Sequence, residues 1–144
     1  MQNGNGSAPW PLLIDTHYWI WLEAGDEERM SSHNLGIIHE ASSAGNLFIS
    51  VMSVWELGML ESKGRIQLGI SCTQWVEKAL AQPGVALAPL TPAIAIESSN
   101  LPGSFHGDPA DRIIVATARA LKARLLTSDK NIRAYARQRH ISLA

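Results

Sequence analysis

Five acidic residues stand where a carboxylate could do chemistry. Asp15 closes the apolar run Leu12-Leu13-Ile14, and Asp129 closes Leu125-Leu126-Thr127-Ser128. Asp108 and Asp111 flank Pro109-Ala110, and Glu56 is the only ionisable group between Phe48 and Leu60. Each has an ordinary explanation. An aspartate after a strand caps the next helix by accepting free backbone N–H groups, with Ser128 a competing cap for the helix after it. Asp108-Pro-Ala-Asp111 is a strong helix start, with proline at the first helical position, and its spacing puts both acids on one face. Glu56 could face solvent on an amphipathic helix, although a buried and unpaired carboxylate would have to neutralise or find a partner. Taken together, the positions favour a shared site. Two carboxylates about 4 Å apart repel by about 4 kcal/mol at an effective dielectric of about 20. A cluster therefore raises its own pKa values or recruits cations, and hard oxygen ligands suit Mg²⁺ or Mn²⁺. Such ions activate water and stabilise the charge of a phosphodiester under attack.

Short apolar runs alternating with helical periodicity must position these acids. Strands are predicted at Leu12–Ile14, Leu47–Ile49, Val85–Leu87, Leu125–Leu126 and Ile141–Leu143. Helices are predicted over His17–Leu22, His33–Ala44, Ser53–Ser62, about Trp75–Leu80, over Pro92–Ser99, from Asp108 through Ala120, and over Lys130–Arg137. This alternation implies an α/β fold of three layers, with a central parallel sheet flanked by helices. Ligands of such sheets sit beyond the carboxyl ends of the strands, where the strand order reverses. Asp15 and Asp129 follow strands and Glu56 lies in the helix after the second one, so all three are expected at that edge. In the chain of 144 residues, 1–10 read as a flexible tail and 11–144 as one domain, without internal repeats.

Composition narrows the function. The net charge is −1, so there is no overall cationic field to attract nucleic acid, and contact with RNA must come from local arginines or bridging metal ions. Arg112, Arg119 and Arg124 are the candidates, though solvated helix faces explain them equally well. Cys72 is the only cysteine, which excludes an intrachain disulfide and a multi-thiolate metal site and fits a reducing compartment. No apolar stretch approaches a membrane span of about 18 residues, and the start shows no basic segment followed by an apolar run, so a cytoplasmic location is expected. Five tryptophans in so short a chain point to self-association or a protein partner. Trp19, Trp21, Trp55 and Trp75 are expected in the core or an interface rather than as base-stacking platforms. His17 and His106 lie near the proposed site and could shuttle protons, but polar loop or packing roles are favoured.

Four segments, in order from Leu12 onward, resemble the PIN-domain family and, within it, the VapC-type toxins of bacterial toxin–antitoxin pairs. They are Leu-Leu-Ile-Asp15-Thr16-His17, Ser53-Val-Trp-Glu56-Leu-Gly, His106-Gly-Asp108-Pro-Ala-Asp111-Arg112 with the Ile-Ile-Val-Ala-Thr-Ala that follows, and Leu125-Leu-Thr127-Ser128-Asp129. By that resemblance Asp15, Glu56, Asp111 and Asp129 match the family's acidic metal site, and Asp108 matches the extra acid of its DPxD variant. Thr127 and Ser128 match a hydroxyl-bearing position that orients a carboxylate or a water. The resemblance implies endonucleolytic hydrolysis of RNA with Mg²⁺ or Mn²⁺, in-line attack by water without a covalent intermediate, homodimerisation, and neutralisation by a small VapB-like antitoxin. Two other classes are weighed against it. A phosphoacceptor signalling domain also sets acids and Mg²⁺ at strand ends, but here the strand Val85–Leu87 leads to Pro89 without an acid. A non-catalytic binding module would use its tryptophans for a partner and would not bind Mn²⁺. Within the leading class, a PIN nuclease of RNA processing or DNA repair is the alternative to a toxin.

Overall fold

The structure is a computed structural model describing residues 10–144. Apart from Trp10, the expected tail lies outside the described residues. In chain order the elements are β1 (Leu12–Ile14), α1 (Thr16–Ala24), α2 (Ser32–Ser43), β2 (Leu47–Ser50), α3 (Val51–Ser62), α4 (Cys72–Leu80), β3 (Val85–Ala88), α5 (Pro92–Ser98), α6 (Pro109–Leu121), β4 (Arg124–Leu126), α7 (Lys130–Ala136) and β5 (Ser142–Leu143). Each predicted element is present. The main difference is α3, which begins at Val51 directly after β2 because the Ser50 hydroxyl accepts the Met52 N–H and caps the helix at once.

All five strands are parallel, in the order β3-β2-β1-β4-β5. β1 is the central strand and is buried along its whole length. Its alternating side chains feed two cores, as strand geometry requires. Leu12 and Ile14 join Leu47, Ile49 and Leu126 beneath α1 to α4, where Trp19, Ile38, Leu57 and Ala79 close over them. Leu13 and Leu125 point the other way, against Ile114, Val115 and Ala118 of α6 and Ile132 and Tyr135 of α7. The result is three layers, with α5 packed on α6.

This topology places the site. From β1 the chain builds outward through β2 and β3, then crosses back to add β4 and β5 on the other side of β1. Strand order therefore reverses between β1 and β4, opening a crevice at their carboxyl ends. Ile14 pairs with Leu126, and the Asp15 N–H donates to the Leu126 carbonyl at 3.1 Å, so the residues after both strands start level. Because α6 must run back to feed β4, its first residues lie at the same edge. Each of the seven helices among the described residues opens on a Ser, Thr or Asp whose side chain accepts a backbone N–H. Three of these caps are Asp15, Asp108 and Asp129, so capping and membership of an acidic cluster are compatible rather than rival roles.

Candidate active site

Asp15 caps α1 and is only 8% exposed. Its Oδ1 accepts the Tyr18 N–H at 3.1 Å, and its Oδ2 accepts the Thr127 hydroxyl at 2.5 Å. The same Thr127 oxygen accepts the Asp129 N–H at 3.0 Å, so one buried hydroxyl ties the two acids together across the β1–β4 boundary. Burial pushes the Asp15 carboxyl above its ordinary range and the negative charge of Glu56 adds to this, while Thr127, the Tyr18 N–H and His17 pull against it. Ser128 is exposed, and the helix it was a candidate to cap is capped instead by Asp129, whose Oδ2 accepts the Ile132 N–H at 2.9 Å.

Glu56 reaches the crevice from α3. Its Oε1 lies 2.6 Å from the Thr16 hydroxyl, which in turn lies 2.9 Å from the hydroxyl of Ser53. Thr16 has one proton, and the carboxylate takes it in a short charge-assisted bond, leaving Ser53 to supply the proton of the second bond. Thr16 and Ser53 are both buried. Sequence reasoning did not assign them this role, although two signals were there: Thr16 directly follows Asp15, and Ser53 precedes Glu56 by one helical turn.

Asp111 gathers the rest. Burial is the largest cause lifting its carboxyl, followed by the negative charges of Asp108, Asp129 and Glu56, and together they hold it at about 7. Asp108 caps α6 by accepting the Asp111 N–H at 2.8 Å. Glu56 thus interacts electrostatically with both Asp15 and Asp111, and all five predicted acids belong to one electrostatic group. As their side chains stand, no three carboxylate or histidine groups among the described residues converge closely enough to hold one ion. The donor chemistry nevertheless fits a hard divalent cation: the donors are all carboxylate oxygens, and they crowd until one of them holds its proton near neutral pH.

Two of the three arginines considered for phosphate contact are engaged in other bonds. Arg112 donates from Nε to the Ser98 carbonyl at 2.7 Å and from Nη1 to that of Phe105 at 3.0 Å, tying the 99–107 loop to α6. Arg119 pairs with Glu97 at 2.5 Å and donates to the His140 carbonyl at 2.6 Å. Arg124 opens β4, at the amino edge of the sheet, away from the acids. His106 is exposed and contacts the Ser104 hydroxyl at 3.2 Å. Of the tryptophans, Trp19 is buried edge-on against Trp75, whereas Trp55 is 55% exposed on α3. No helix of the described residues is long and apolar enough to cross a membrane.

The chain has counterparts among known proteins. The profile of the PIN domain matches residues 12–138. Ribonuclease VapC22 of Mycobacterium tuberculosis is 34% identical over 132 residues, covering 92% of this chain and 97% of that protein. Among solved structures, the VapBC2 complex of Rickettsia felis bound to a promoter DNA fragment contains a chain that superposes with a TM-score of 0.63 at 16% identity, covering 92% of this chain and 96% of its own. The FitAcB structure from Neisseria gonorrhoeae gives a TM-score of 0.56 at 19% identity, covering 92% and 95%. At those identities the two structures speak for the fold. The family profile and the close relative both span nearly the whole chain, and by them the chain belongs to the PIN-domain family and, within it, to the VapC ribonucleases.

Proposed function

We propose that the chain is a metal-dependent endoribonuclease that hydrolyses RNA phosphodiester bonds, and the toxin of a type II toxin–antitoxin pair. The observation that carries this reading is the meeting of Asp108, Asp129 and Glu56 around the Asp111 carboxyl, held at about 7, at the point where strand order reverses. A structural cap does not need three acidic neighbours. Carboxylates gathered at one edge suit a hard divalent cation. The 34% identical relative, itself a ribonuclease, supports the same activity.

Asp15, Glu56, Asp111 and Asp129 would hold Mg²⁺ or Mn²⁺, with Asp108 the adjoining acid. When bound, the metal supplies an activated water and neutralises the charge developing on the phosphodiester. The chain's own residues prepare that site. Thr127 fixes the Asp15 carboxylate, Thr16 fixes that of Glu56, and the Asp108 cap sets the first turn of α6 so that Asp111 faces the crevice. Asp111 must lose its proton to become a ligand, so cation binding and proton release are coupled. Hydrolysis adds water across one P–O bond, and no side chain is needed as a nucleophile. A small antitoxin and a second copy of the chain are the proposed protein partners, in a reducing cytoplasm. The apolar surface of Trp55 and Ile96, 55% and 67% exposed, suits such contacts.

Incubation of the purified chain with structured RNAs, with and without EDTA, followed by mapping of the product ends, tests the reading. Cleavage at discrete internal sites that EDTA stops and Mg²⁺ or Mn²⁺ restores is expected. Cleavage indifferent to EDTA, or none with either metal, would overturn it.

A further inference from the structure

The acidic crevice repels the polyanion it is proposed to cut, and none of the arginines picked out from the sequence faces it. A different one does. Beside the Thr127 that holds Asp15 lies a cavity of about 420 Å³ lined by Tyr18, Asn34, Leu126, Thr127, Ser128, Arg133 and Ala144. Two of these walls, Tyr18 and Thr127, are the residues that hold the two oxygens of Asp15. Ser128 is the residue immediately before Asp129. The cavity therefore adjoins the proposed cleavage site through Thr127.

Its polar groups are incompletely used. The Arg133 guanidinium donates from Nη1 to the Thr127 carbonyl at 3.0 Å, its only hydrogen bond among those of the described residues. That bond anchors the group and leaves four of its five N–H donors open. Asn34 Nδ2 donates to the Tyr18 hydroxyl at 3.2 Å, which leaves the Asn34 carbonyl oxygen and the Tyr18 proton available. The exposed Ser128 hydroxyl adds another donor and acceptor. A fixed cation beside a set of neutral donors and acceptors and an aromatic ring is the chemistry that recognises one nucleotide: phosphate by arginine, base edge by amide and hydroxyl.

We propose that this cavity binds a nucleotide of single-stranded RNA flanking the scissile phosphate, with Arg133 on its phosphate and Asn34 with Tyr18 reading its base. Arg133 supplies a positive charge beside Thr127 in a chain whose net charge is −1. The subsite would thereby set cut-site preference. This inference rests on the ribonuclease reading, and its test has one arm that needs neither metal nor cleavage.

In the first arm, the four ribonucleoside 5′-monophosphates are titrated in EDTA into the parent chain, Arg133→Met and Asn34→Ala, each followed by NMR shifts of side-chain amides and guanidinium groups. The parent should saturate with at least one nucleotide, shifting the Asn34 amide. Arg133→Met should weaken all four by about tenfold, while Asn34→Ala should level the differences among them. In the second arm, a random-sequence single-stranded RNA pool is cut with Mn²⁺ present and the ends are sequenced. Arg133→Met should raise KM with little change in kcat, and should lower the slope of log affinity against log salt by about 0.7, the value for one single-strand phosphate contact. Asn34→Ala should relax base preference at one position beside the cut. Nucleotide titrations that stay flat, or an Arg133→Met variant that loses kcat at an unchanged salt slope, would overturn the subsite. The second result would make Arg133 a mere brace for Thr127, and an arginine that serves only a protein partner would move neither readout. Failure of the parent to cut RNA alongside a saturating titration would instead refute the ribonuclease reading and keep the nucleotide site.

Discussion

At the scale of single residues, the account turns on how hydroxyls hold carboxylates. Asp15 is almost completely buried and still accepts two hydrogen bonds, so Asp15→Asn preserves shape and volume while removing the charge. It should leave the circular dichroism spectrum intact and lower RNA cleavage by about 100-fold or more, the scale of losing one group that organises a reacting site. A variant that cuts as fast as the parent would remove Asp15 from the machinery. Thr127→Val tests the hydroxyl itself. Without its proton on Asp15 Oδ2, the carboxylate loses the largest influence opposing its burial, so its pKa should rise further and the acidic limb of the pH–rate profile should move to higher pH. Ser128→Ala, at an exposed position with no hydrogen bond assigned to it, should leave that limb in place.

At the scale of elements, the first turn of α6 serves two purposes that substitution can separate. Asp108→Asn keeps a good N-cap and loses a charge, whereas Asp108→Ala loses both. Thermal denaturation should show Asp108→Asn close to the parent and Asp108→Ala destabilised by about 1 kcal/mol. Cleavage should fall in both. If cleavage tracked stability alone, Asp108 would be a cap and nothing more. Gly107, just before this turn, has no room for a side chain, because an added Cβ would run into the Phe105 ring and crowd Asp111. Much of this architecture was legible beforehand. Apolar runs ending in Asp15 and before Asp129 located the strands and the edge, and Glu56 stood out as a lone charge in an apolar stretch. The Thr16–Ser53–Glu56 chain was not legible, because residues 37 and 40 positions apart meet only once α1 and α3 pack together. Arg112 and Arg133 look alike in sequence. Only the fold shows one spent on the carbonyls of Ser98 and Phe105 and the other open beside Thr127.

At the scale of the whole molecule, a crowded acidic site should weaken the fold whenever no cation is present. The Asp111 carboxyl rises from an ordinary 3.8 to about 7 in the folded chain, and Asp15 moves in the same direction. The folded state therefore binds these protons more tightly than the unfolded state. That contribution is complete below about pH 4, fades as pH climbs toward 7, and is gone above it. In EDTA the melting temperature should consequently be lower at about pH 8 than at about pH 6, and Asp111→Asn should remove most of the difference. Mn²⁺ should restore stability chiefly at the higher pH, where the ligands are charged. Diffraction from crystals soaked in Mn²⁺, read at the manganese absorption edge, addresses the central claim most directly. Anomalous density among the carboxylates of Asp15, Glu56, Asp111 and Asp129 is the predicted result. Density only elsewhere on the surface, away from these four carboxylates, would contradict the account.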